Sequence, residues 1–249
     1  MKVKTILVSQ PKPESDKSPY FDLEKNYNVK VDFRPFIHVE GIDVKDFRKT
    51  KIDLSDRTAV ILTSRSAADH FFRIHKDLRL SGADGLKYFC ISEAVALYLQ
   101  KYIVYRKRKI FHGTRTFDDL LTIIKKHKKE AFLLPCSNIH KQQISKLLTK
   151  ESIDFKKAVL YKTICSDLSD LADIKYDMLV FFSPSGVKSL YKNFPKFKQN
   201  STRIAAFGPT TSKAVLDAGL KLDIKAPIPD APSMTMSIEH YLKKVNKRR

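Results

Sequence analysis

Apolar residues along this chain fall into short runs, each followed by small hydroxylated residues and then by an amphipathic segment. Two such junctions lie close together: MLVFF (178–182) opens into Ser183-Pro184-Ser185-Gly186, and RIAAF (203–207) opens into Gly208-Pro209-Thr210-Thr211. The same pattern predicts strands over 5–9, 59–62, 88–91 and 131–134. It predicts helices over 19–26, from Thr63-Ser64-Arg65-Ser66 to 75, from Ser92-Glu93-Ala94 to 102, over 117–126, and from Pro135-Cys136-Ser137-Asn138 to 148. Residues 30–38 alternate at period 2 but contain Pro35, which reads as an extended connector more readily than as a central strand. Residues 103–111 read as short-strand material crowded with Arg106, Lys107, Arg108 and Lys109, 158–163 as extended, and 166–174 as a polar, acidic segment, mobile or helical.

Laid over each other, the two halves repeat. AVILTSRSAADHFF parallels MLVFFSPSGVKSLY, YFCISEAVALYL parallels IAAFGPTTSKAV, and GTRTFDDLLTII parallels APSMTMSIEHYL. Strands alternating with helices imply parallel sheets flanked by helices, and two copies imply two similar α/β lobes. The first strand has no complete lobe before residue 30, so it is expected to join the second copy. The expected plan is a discontinuous lobe of 1–35 plus 166–249 and a continuous lobe of 38–160. Extended connectors near 32–38 and 158–165 would join them, with a cleft between the two carboxyl edges. A helix that starts directly after a buried strand leaves its first N–H groups unpaired at that edge, where ligands of open α/β sheets sit. The rim is therefore expected to face an anion.

Charge sharpens this. Lys and Arg number 47 against 27 Asp and Glu, for a formal charge of +20 over 249 residues. Such a field attracts nucleic acid, anionic surfaces or small polyanions. Cys90, Cys136 and Cys165 are odd in number and include no CxxC, which suits a reducing cytosol and argues against a disulfide framework or a zinc site. The apolar start of the chain is a first strand, too short for a signal peptide or a membrane span. The seven histidines show no HxxxH or HExxH spacing, and neither a GxGxxG nor a Walker A loop is present, so no metal and no nucleotide is expected.

The order PCSN, YKT, SPSG, GPTT, APS resembles the uroporphyrinogen-III synthase family over nearly the whole chain, most strongly from 132 to 242. The resemblance implies a cofactor-free cytoplasmic lyase of tetrapyrrole (heme or siroheme) synthesis. Such enzymes close linear hydroxymethylbilane into uroporphyrinogen III and invert the last pyrrole ring through a spiro intermediate. The substrate's eight carboxylates suit a basic protein with N–H-rich helix starts. The implied partner is this small polycarboxylate, handed over by the preceding pathway enzyme, to a monomer without membrane or nucleic-acid partners.

Tyr161, in the YKT segment, matches the family's tyrosine and is the candidate acid for loss of the terminal hydroxyl. Thr210 and Thr211 with Gly208 and Pro209 match the GPTT turn and are expected to hold carboxylates; Ser183, Ser185 and Gly186 have the same reading. Ser64 and Arg65 stand at the equivalent junction of the other lobe, where Arg65 could pair a carboxylate bidentately, and Ser92 is the hydroxyl of the next one. Cys136, Ser137 and Asn138 complete the substrate-facing set. Cys136 reads as a packing cysteine with no base beside it, and Ser137 and Asn138 as caps of the following helix. Departures occur at Gln10, where relatives carry arginine, at Val95, where they carry a hydroxyl, and at Lys162, which keeps the charge and loses the fork. The alternatives are a non-catalytic relative, or a nucleic-acid or polyanion binder using 106–109 and the tail 243–249. A two-lobed periplasmic-type binding protein for a small anion is the third.

Overall fold

A computed structural model describes residues 2–114, 116–139, 142–171 and 175–246. The chain forms two units, residues 1–38 with 164–249 and residues 39–163. It begins with β1 (Thr5–Val8), α1 (Pro19–Tyr27), β2 (Lys30–Phe33) and β3 (Ile37–Gly41). Next come α2 (Val44–Lys49), β4 (Ala59–Leu62), α3 (Arg65–Asp77), β5 (Lys87–Cys90), α4 (Glu93–Tyr98), β6 (Ile110–His112) and α5 (Phe117–Lys125). They are followed by β7 (Phe132–Ser137), α6 (Gln142–Lys150) and β8 (Phe155–Cys165). The chain closes with β9 (Met178–Phe181), α7 (Pro184–Asn193), β10 (Arg203–Phe207), α8 (Pro209–Asp217), β11 (Ile224–Ala226) and α9 (Met234–Asn246).

The first unit holds a sheet of order β11-β10-β9-β1-β2, and the second begins in the same way, β6-β5-β4-β7-β8, with β3 added outside β8. The pairs β1·β2, β1·β9, β9·β10, β10·β11, β4·β5, β4·β7, β5·β6 and β7·β8 are parallel. In each unit one run of strands walks outward from a central strand, β9 or β4, while its neighbour, β1 or β7, leads the other way. This reversal is a topological switch point, and ligands of open α/β sheets bind beyond the carboxyl ends of the strands at such a point.

The short all-apolar strands follow from this layout, because parallel strands are covered by helices on both faces. Val60 and Leu62 enter a core with Phe71 and Tyr88, whereas Ala59 and Ile61 enter a second core with Leu120 and Leu148. In the first unit Ile6, Val8, Met178 and Val180 pack with Leu23 and Ile238, and Leu7, Leu179 and Phe181 pack with Val187 and Val215 on the other face. The period of two is visible only as this division between cores.

Several expectations change. Residues 30–33 are not merely a connector; they form edge strand β2, and Pro35 lies just beyond it, where its missing N–H breaks no ladder bond. The strand expected over 103–111 shrinks to β6, and the four basic residues before it sit in a turn closed by the bonds Lys109 N–H to Arg106 C=O and Ile110 N–H to Arg106 C=O. Pro135, Cys136 and Ser137 belong to β7 rather than to a cap. In the acidic segment Leu168 is buried and its N–H donates to Asn193 Oδ1 at 3.0 Å, so a packed turn replaces the expected mobile or helical stretch; 172–174 lie outside the described residues. So do 247–249 of the basic tail. Strands β3 and β11 and helix α2 carry no strong local signal and were not anticipated.

Candidate functional site

In the second unit, the switch point brings together the end of β4, the end of β7 and Tyr161 of β8. Cys136 pairs with Val159 but Ser137 pairs with Tyr161, so β8 carries an extra residue at this point. The bulge lets consecutive Leu160 and Tyr161 both turn inward. Tyr161 is 8% exposed. A cavity of about 290 Å³ lies against it, lined by Thr63, Ile91, Leu134, Cys136, Ser137, Ile139 and Ile144. Burial raises the phenol pKa above its ordinary value, opposed in part by a hydrogen bond with the Ser64 side chain. Ser64 is also the N-cap of α3 and accepts from Ala67 N–H at 3.0 Å.

The other residues of this unit divide. Cys136 is buried, its Sγ 3.6 Å from Ala158 C=O, and desolvation pushes its thiol pKa up to about 11. Ser137 and Asn138 do not cap α6 as expected: Ser137 Oγ donates to Ile139 C=O at 2.5 Å, and Asn138 Oδ1 accepts from Thr163 N–H at 2.9 Å, tying β7 to β8. Arg65 is exposed and its guanidinium lies over the Tyr98 ring at 5.3 Å, so it leans toward α4 rather than toward Tyr161. Ser92 holds the N-cap position of α4 but its side chain makes no capping bond.

The first unit repeats the edge without a tyrosine. Ser183 caps α7, accepting from Gly186 N–H at 3.2 Å, with Pro184 at the first helical position and Ser185 half-buried. A Cβ on Gly186 would stand 3.7 Å from Ser9 Oγ, so this cap faces the end of β1 across the switch point. Gly208 adopts φ 84 and ψ 156 at the start of α8, a conformation that favours glycine, and Pro209 follows as the first helical residue. Thr210 is exposed, but Thr211 is 1% exposed, so only one hydroxyl of the pair faces outward. Of the departures, Val95 packs in the core with Phe71, while Gln10 and Lys162 are exposed.

Sequence reasoning missed His70, whose ring stacks on Tyr161, as well as Thr63, Ile139 and Ser9. Thr63 and Ser9 are the hydroxyls directly after strand runs, a readable signal; His70 has none. Among the described residues no group of three or more His, Cys, Asp or Glu side chains could hold a metal ion. No described helix is long and apolar enough to cross a membrane.

The model of the family described as "Uroporphyrinogen-III synthase HemD" matches residues 22–236. The chain belongs to the uroporphyrinogen-III synthase family. It is 25% identical over 260 residues to the uroporphyrinogen-III synthase of Chlorobaculum parvum, covering 97% of this chain and all of that protein. It is 30% identical over 140 residues to the Saccharomyces cerevisiae uroporphyrinogen-III synthase, a match that spans half of each chain. The fold is shared with uroporphyrinogen-III synthetase from Helicobacter pylori at a TM-score of 0.63 and 18% identity, over 97% of this chain and 99% of that one. A mutant uroporphyrinogen III synthase from Thermus thermophilus gives 0.55 at 14% identity, over 97% of this chain and 99% of that one.

Proposed function

We propose that this member of the uroporphyrinogen-III synthase family closes hydroxymethylbilane to uroporphyrinogen III with inversion of the last pyrrole ring, and that Tyr161 supplies the proton on which the terminal hydroxyl leaves as water. The observation that carries the assignment is the placement of the phenol at the end of β4, beside Ser64 and an apolar cavity. Loss of hydroxide from the bilane is unfavourable without a proton, so the step needs a donor that is still protonated at neutral pH. A phenol raised by burial meets that need. Ser64 Oγ accepts from Ala67 N–H, which fixes the side chain that stands beside the phenol and in part opposes the rise in its pKa.

After departure the substrate is an azafulvene cation, and what remains is to hold it so that the ring closes by way of the spiro intermediate. That is an orientation effect, able to contribute several kcal/mol. In the second unit a substrate carboxylate would be met by the start of α3, through backbone N–H groups with Ser64, in the field of a +20 chain; within the first unit the starts of α7 and α8, with Ser183, Ser185 and Thr210, offer the same kind of donor. Binding through backbone donors tolerates side-chain change, so Gln10 and Lys162 do not oppose activity. Three free cysteines fit a reducing cytoplasm, where the protein would act as a monomer receiving the bilane from the enzyme that makes it.

The test supplies freshly generated hydroxymethylbilane, oxidises the products and separates the isomers by chromatography. Spontaneous closure gives type I; enzyme-dependent type III is the expected result. Type I alone in the presence of folded protein would remove the proposal.

A further inference from the structure

The most exposed large apolar side chain among the described residues is Val104, at 69%. It lies in KYIVYRKRK (101–109), which carries five basic residues and no acidic one. The segment joins α4 to β6 and so lies with the loops that precede the parallel strands, at the amino edge of the second unit's sheet. That is the edge opposite Tyr161 and Ser64, and no step proposed for the chemistry uses it.

The segment is built, not frayed. Lys109 Nζ donates to Asp84 C=O at 2.9 Å and to Gly85 C=O at 3.0 Å, and the turn at Arg106 closes with two backbone bonds. Ile103 and Tyr105 pack against the core and hold Val104 outward between them. Arg106, Lys107 and Arg108 are all exposed. Lys101 is drawn toward Asp69 at 3.6 Å and over the rings of Tyr98 and Tyr102. An exposed aliphatic side chain beside three exposed cations on a backbone-closed turn matches the chemistry of an anionic bilayer surface, with apolar contact below the headgroups and guanidinium or ammonium groups at the phosphates.

A nucleic acid fits less well. Stacking of bases needs open ring faces, and those here are largely covered: Tyr102 stacks on Phe72 at 4.4 Å, Tyr98 is covered by Arg65 and donates to Asp69 at 2.8 Å, and Tyr105 is half-buried against the core. A peripheral contact needs no membrane-spanning helix.

We propose that the Val104–Arg108 crest is a docking surface for an anionic lipid bilayer, holding the protein at the membrane surface by its amino edge. With a charge of +20 the whole chain is drawn to any polyanion, so the test must separate this patch from net charge. Full-length protein is sedimented with vesicles of pure phosphatidylcholine and with vesicles in which about three parts in ten are phosphatidylglycerol, at near-physiological salt. Binding to the anionic vesicles is expected to exceed binding to the neutral ones at least ~tenfold. The triple variant Arg106→Glu, Lys107→Glu, Arg108→Glu is expected to lose that excess, and Val104→Ser, which leaves charge untouched, to weaken it several-fold. The control Lys192→Glu, Lys196→Glu, Lys198→Glu removes the same charge from exposed positions of the other unit and is expected to retain most of the binding. Equal losses in both triple variants would reduce the effect to net charge and overturn the proposal, as would an unchanged Val104→Ser. Binding of a uridine oligonucleotide through the same three residues, with none to vesicles, would replace the bilayer by nucleic acid. No binding to either ligand would also overturn it.

Discussion

The imidazole of His70 lies on the face of the Tyr161 phenol, with ring centroids 4.9 Å apart and planes 18° from parallel. Arg73 stands behind it, its Nε 3.4 Å from His70 Nδ1 and its Nη2 donating to Ile42 C=O at 2.7 Å and to Leu160 C=O at 3.3 Å. Burial, and then the Arg73 charge, lower the His70 pKa, so the stacked ring is neutral at pH 7. The phenol is thus held at its oxygen by Ser64 and at its face by His70. Tyr161→Phe is expected to lower kcat by ~10²-fold with little change in KM. His70→Ala should cost about tenfold in kcat, and His70→Phe, which keeps a flat ring in place, should restore most of it. Steady-state kinetics on the three variants checks this; an unchanged kcat in Tyr161→Phe would leave the shape of the site as the main cause of catalysis.

Ser64 and Ser183 occupy the same structural position in the two units, each capping the helix that follows a central strand. As caps alone, each Ser→Ala change should cost ~1 kcal/mol of stability. Only Ser64 also holds Tyr161, so the two variants should melt alike while Ser64→Ala loses more turnover. Thermal melts paired with the isomer assay distinguish the two roles.

Gly208→Ala isolates a backbone effect. The residue sits at φ 84, and nothing stands within 4 Å of the Cβ that would be added, so any loss comes from conformation rather than a clash. The expected cost is ~1–3 kcal/mol, a fall in Tm of several degrees. An unchanged Tm would show that the turn relaxes elsewhere.

The three thiols should react in a fixed order. Burial pushes Cys90 up to about 12 and Cys136 up to about 11, whereas Cys165 is half-exposed. Iodoacetamide at mildly alkaline pH is therefore expected to add one group rapidly to native protein, at Cys165, and the others only after denaturation. Peptide mapping identifies the site; early labelling of Cys136 would contradict its burial.

Acid should destabilise the fold before its carboxylates titrate. Burial lowers the pKa of His75 below its ordinary value of 6.5, and His70 and His127 are lowered with burial as the largest cause. The unfolded chain then binds more protons than the folded one, so stability rises with pH through this range. The contribution is fully present above about 6.5 and is lost as pH falls through the depressed folded values. The Tm should drop between neutral pH and roughly 5, and His75→Gln should flatten that dependence in part, because His70 and His127 share it. A slope unchanged by His75→Gln would assign the effect to the other two.

The strand runs AVIL and MLVF and the serines just after them were legible from the sequence, because a strand covered on both faces must be apolar throughout and a helix start must satisfy its own N–H groups within one turn. The order PCSN, YKT, SPSG, GPTT, APS carried the family and with it Tyr161. These signals are local, each contained in a few consecutive residues. What the sequence could not place was everything set by the register of distant strands. Residues 30–33 became a strand only because β1 offered an open edge. Thr211 turned inward and Arg65 leaned onto Tyr98, although their local pattern matched that of neighbours that face outward. Above all, Tyr161 met Ser64 and His70 through the bulge opposite Cys136 and Ser137, which shifts β8 by one residue and reverses which side chains face the core. One residue of register between strands far apart in the chain leaves no mark on either segment read alone, and it decides where the phenol stands.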